Sequence, residues 1–183
     1  MNEPGEAPKI LSSEPTPIPP ELERFSKGDI TLTSNMMIKG EGENRKLHIT
    51  ISPEDPTYKA YDEELKLALK YTKLLSQHHK NGPIIDESLD VIRTVKERLP
   101  HIQNLQIKGY IAAQEGYFAE AYSQIPNDGS EESVTRKEKL DSEHKEFRER
   151  SDYIKHLVSQ NKVKLILPGE ISDQAPTTAT SGV

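Results

Sequence analysis

Gly109-Tyr-Ile-Ala-Ala-Gln-Glu-Gly-Tyr-Phe-Ala-Glu-Ala-Tyr122 is the segment of this chain richest in glycine and alanine at helical spacing. Gly109 and Gly116 stand seven residues apart. Ala112 and Ala113 lie between them, and Ala119 and Ala121 follow. Small residues on both sides of a glycine turn allow two short helices to lie close together, which predicts a tight helical hairpin broken at Gly116. Gly109, Gly116 and Ala121 are then the residues that set the helix spacing. A bulky side chain at any of them should break the domain.

Working outward, Asp86 reads as the cap of a helix over 86–99. In it Ile85, Leu89, Ile92, Val95 and Leu99 recur at helical spacing and Pro100 ends the run. The hairpin helices follow over 101–115 and 117–125. Upstream, Asp55-Pro56 is an N-cap followed by a first-turn proline, and opens a helix over about 56–80. Its apolar residues cover a broad surface, which predicts burial. Asn81-Gly82-Pro83 reads as its stop. Downstream, Ser130 caps a long charged helix over 131–161, with Glu131 and Glu132 suited to the positive end of its dipole.

Residues 28–52 read as a β-hairpin. Leu47, Ile49 and Ile51 alternate, as one buried strand face requires, and Gly40–Arg45 forms the connection. Residues 163–167 read as a short strand able to pair back and make a small three-stranded sheet. The expectation is an α+β fold, mainly helical, in one domain over 26–168.

Both ends differ from this middle. Six of the 13 prolines fall in the first 20 residues. Such a segment buries too little apolar surface to offset its ordering entropy, so residues 1–25 and 169–183 read as disordered tails. The short motifs Pro17-Ile-Pro-Pro20 and Ser181-Gly-Val183 lie within them.

The formal net charge is −6. Residues 1–20 and 169–183 each contribute −2, which leaves the middle at −2. A near-neutral, mixed-charge domain gives no electrostatic footprint for nucleic acid. The chain has no cysteine, which excludes disulfides, thiol nucleophiles and Cys-based zinc sites and fits a reducing cytoplasm. No stretch approaches a membrane span, and the N-terminus lacks a signal-peptide core.

Residues 102–126 resemble a single tetratricopeptide repeat. Leu105, Gly109, Gly116, Phe118 and Ala121 match its spacing. Ala112 replaces the second aromatic of the first helix, and Pro126 comes early for the closing proline. The resemblance implies a helical scaffold that binds peptides or partner proteins.

No catalytic constellation stands out. The six histidines form no His-x₃-His pair, and the carboxylates sit in mixed runs such as Glu143–Arg150, which read as salt-bridged helix surface. No metal ligand set and no cofactor are expected. The leading reading is a non-enzymatic protein–protein interaction protein: an adaptor, chaperone-like subunit or assembly factor. Its partner-binding residues would be Tyr110 and Tyr117 on the hairpin, together with the thin stripe Leu140, Phe147, Ile154 and Val158 on the long helix. The alternative is a small enzyme or secreted effector, with Tyr110, Tyr117, His101 and Glu115 ringing a pocket at the hairpin.

Overall fold

The computed structural model describes residues 17–78 and 82–170. It is mainly helical with one small sheet, an α+β arrangement. The strands are β1 (Ile30–Thr33), β2 (Met36–Lys39), β3 (Lys46–Thr50) and β4 (Val163–Ile166). The helices are α1 (Pro56–His78), α2 (Gly82–Lys96), α3 (Leu99–Ser123) and α4 (Glu131–Ser159).

The sheet has four strands in the order β1-β2-β3-β4. The segment expected as one extended arm of a hairpin is folded in two at Ser34-Asn35, with Thr33 opposite Met36 and Leu32 bulged out of register. Asn35 closes this corner: its backbone carbonyl accepts from Thr50 and its side chain hydrogen-bonds Thr33. β2 and β3 are antiparallel. β4 then pairs parallel to β3, with Leu47 opposite Val163 and Ile49 opposite Leu165. A parallel pair needs a crossover connection, and here all four helices supply it.

Alternation gives the sheet two unlike faces. Met36, Ile38, Leu47 and Ile49 are buried, and they join Phe25, Tyr153 and Ile154 in the core. Met37, His48 and Lys164 stand in register on the opposite face. The turn before β3 depends on Gly40, whose φ is +86°. A Cβ there would lie 2.5 Å from the carbonyl oxygen of Asn44, so only glycine fits.

Several expected boundaries move. Pro20–Phe25, placed in the disordered tail, is a 3₁₀ turn with Leu22 and Phe25 buried. Proline starts the turn, and a three-residue spacing puts both apolar side chains on one side of it. Residues 1–16 and 171–183, with the Ser181–Val183 motif, lie outside the described residues. α2 begins at Gly82, not Asp86, because Pro83 serves as a first-turn residue instead of a stop. Asp55 caps α1 as expected, accepting from the Tyr58 N–H at 2.9 Å. Its other carboxylate oxygen accepts from Gln106 at 2.8 Å, tying the start of α1 to α3.

The largest correction concerns the hairpin. Leu99–Ser123 is one unbroken helix, so there is no turn at Gly116. An isolated glycine costs a helix only about 1 kcal/mol relative to alanine. The alanines around Gly116 offset that cost, and no proline or cap residue stands beside it. The two-helix unit implied by the tetratricopeptide resemblance is not formed. Among the described residues, a Cβ on Gly109 or Gly116 would meet no atom within 4 Å, so neither glycine holds helices at close range.

α4 is capped as the sequence predicts, with the Ser130 hydroxyl accepting from the Ser133 N–H at 3.2 Å. It ends in a Schellman motif. Asn161 takes a left-handed φ of 54°, Lys162 N–H bonds Leu157 O at 2.8 Å, and Asn161 N–H bonds Val158 O at 3.0 Å.

Candidate functional site

α3 and α4 meet along an aromatic seam. Tyr110 packs edge-on to Phe147 at 6.2 Å, and Phe118 lies 5.6 Å from Phe147. His144 stacks on Phe118 at 4.4 Å, and its Nε2 is 3.0 Å from Glu115 Oε2. Burial raises the Tyr110 hydroxyl pKa, and the nearby Arg150 acts against that rise.

This seam corrects the expected partner stripe. Leu140, Phe147 and Ile154 are buried, and Ile154 is 0% exposed. Val158 is half-buried against the same core. The seven-residue spacing that suggested a docking stripe is the inward face of α4. It is thin because the outer side of this long helix is charged. Tyr110 is buried as well, which leaves Tyr117, at 58% exposure, as the one member of the predicted set open to solvent. Ala121 is half-buried at the edge of the core.

The outward side of α3 is what sequence reasoning missed. From 109 to 119 its exposed positions are Gly109, Ala112, Ala113, Gly116, Tyr117 and Ala119. None carries a charge. Lys108 and Glu120 bound the strip at its two ends, and Leu105 extends it by a turn. The outward side of a surface helix normally carries charged and polar residues. Over 109–119 the exposed positions of α3 carry no charge, with Lys108 and Glu120 on either side. The signal was present in the sequence as a glycine–alanine repeat at helical spacing, but that repeat also describes a turn between close helices.

A second apolar surface flanks α1 and α2. Their shared contact buries Ala68 and Ile92, and Glu64 and Arg98 form an ion pair near its base. Leu67, Leu69, Tyr71 and Leu74 on α1 and Leu89 and Val91 on α2 remain exposed, Tyr71 at 57%. The expected burial of α1 fails because only one of its faces meets α2. No other described element covers its flank.

The groups of the enzyme reading do not converge. His101 is exposed, Tyr110 is in the core, Tyr117 points outward and Glu115 is engaged by His144. None of the cavities found among the described residues gathers them. On the open sheet face, burial lowers the His48 pKa, helped by Lys164, Lys39 and Lys46, and Asp29 opposes the shift. No group of three or more His, Asp or Glu among the described residues is placed to hold a metal ion. No described helix is long and apolar enough to cross a membrane.

No family model, curated protein or solved structure matches this chain. Its function has to be read from its own geometry.

Proposed function

We propose that this chain is a non-enzymatic interaction subunit, an adaptor or assembly factor, whose outer α3 face receives a helix of a partner protein. One observation carries this reading: the uncharged strip Gly109-Ala112-Gly116-Ala119 on the solvent-facing side of α3. Residues without bulk let two backbones approach closely, so packing contacts accumulate over the whole length of a docked helix. Leu105 and Tyr117 flank the strip and provide larger anchors, of the kind that concentrate binding energy. The exposed flank of α1 and α2 supplies a second apolar area for the same or another partner. The lack of cysteine suits work in a reducing cytoplasm.

The test is quantitative co-purification from cells that naturally express the protein. Wild type should recover one protein at a fixed stoichiometry. Ala112→Glu should lose it, and Lys137→Glu, on the exposed side of α4, should retain it. Equal recovery by both variants would sink the reading. Recovery of only a second copy of this chain would replace the heterologous partner with a dimer.

A further inference from the structure

Arg45 is a buried cation without an anion. It is 2% exposed. Its Nε donates to Tyr153 Oη at 3.1 Å, and its Nη1 donates to the carbonyls of Gly28 at 2.8 Å and Gly40 at 2.6 Å. All three acceptors are neutral. Nη2 is shielded from solvent and has no hydrogen-bond partner. Arg45 makes no ion pair among the described residues. A charge removed from water at this depth is costly unless an opposite charge and hydrogen bonds compensate it.

Arg45 also forms part of the wall of a cavity of about 240 Å³. His156, Gln160 and Lys162 from the end of α4 line the same cavity, with Tyr153, Ser26 and the apolar Ile18 and Leu157. The Schellman motif at Asn161 occupies the carbonyls of Leu157 and Val158 at this end of α4. Among the described residues the one acid in the wall is Glu43. Its carboxylate is 3.4 Å from Lys162 Nζ and its side chain is 85% exposed, so it lies at the rim. Arg45, Lys162 and His156, with the neutral side chains of Tyr153 and Gln160, therefore surround a small space.

We propose that this cavity binds a small phosphate-bearing anion, inorganic phosphate or a phosphomonoester, that supplies Arg45 with its counter-charge. Nη2 is the one guanidinium nitrogen left without an acceptor, and Lys162 brings a second positive charge to the same cavity. The apolar Ile18 and Leu157 leave room for the organic part of a small ester. This site is independent of the α3 surface and does not rest on the interaction reading.

The experiment is titration of the full chain with inorganic phosphate, phenyl phosphate, acetate and chloride at constant ionic strength, followed by backbone amide NMR shifts. Phosphate and phenyl phosphate should give saturable shifts centred on residues 43–45 and 160–162, acetate weaker ones and chloride none. Lys162→Met should weaken phosphate binding about tenfold, and Arg45→Lys at least about tenfold, because an ammonium has no donor left once it replaces the bonds to Tyr153, Gly28 and Gly40. Glu43→Gln removes the acid at the rim and should tighten binding about threefold. Both Lys162→Met and Glu43→Gln alter side chains at the cavity rim, so they report on binding even if the Arg45 variant fails to fold. Shifts that never saturate, or that chloride reproduces, would overturn the proposal. So would phosphate binding unchanged in both rim variants. Acetate binding as tightly as phosphate would overturn the phosphate assignment.

Discussion

α3 and α4 lie side by side and look reversed in sequence. α4 is a long charged helix with few apolar residues, and those few are nearly all buried. α3 is rich in small and apolar residues, and half of its surface faces water. Mean polarity of a helix therefore does not tell how deeply it is placed. What decides is whether its large side chains fall on one line. Leu140, Phe147 and Ile154 do, and each finds the core. Apart from Leu105 and Tyr117 the outward residues of the α3 strip are small, so leaving them exposed forfeits little hydrophobic stabilisation, and the same smallness suits them to close contact with another helix.

The most severe way to break this comparison is to cut into the seam. Phe147→Ala removes a ring packed against Tyr110 and Phe118 and should cost about 3–5 kcal/mol in urea denaturation. A loss below about 1 kcal/mol would mean that α4 is not seated as described. Next in size is the start of the same helix. Ser130→Ala deletes the hydroxyl that accepts from Ser133 N–H, and thermal melts should show a loss of about 1 kcal/mol.

The opposite sign is expected on the outer side of α3. Gly116→Ala should raise stability by about 0.5–1 kcal/mol, since a Cβ there meets nothing and alanine favours the helix. A destabilised variant would restore the close-packed turn that the sequence suggested. Smallest of all is Ala112→Glu, which should change the free chain's stability by less than about 0.5 kcal/mol while removing the partner. If this variant unfolds the chain, the outer face of α3 belongs to the core.

Much of the architecture was legible in the sequence. The caps at Asp55 and Ser130, the strand alternation at Leu47, Ile49 and Ile51, and the final strand at Val163 all rest on local chemistry, and local chemistry survives in the fold. Three features were not legible, each for a physical reason. Gly116 carries the same identity in a turn and in an exposed helix, and only the surrounding contacts tell the two apart. The turn at Ser34-Asn35 lacks glycine and has no left-handed residue, so the weaker turn signal of serine and asparagine is all that marks it. The seven-residue spacing of Leu140, Phe147 and Ile154 defines a face but not what covers it. The Arg45 cavity left no local trace, because its walls come from residues more than one hundred positions apart in the chain.

The glycine–alanine strip on α3, and not the spaced stripe on α4, is the surface proposed to meet another protein. Photo-crosslinking separates the two. A benzophenone side chain is placed at Ala112 in one sample and at Lys137 in another, in cells that naturally express the protein. A single discrete crosslinked product from position 112, with little or none from 137, is the predicted result. Equal labelling from both positions, or none from 112, would contradict it.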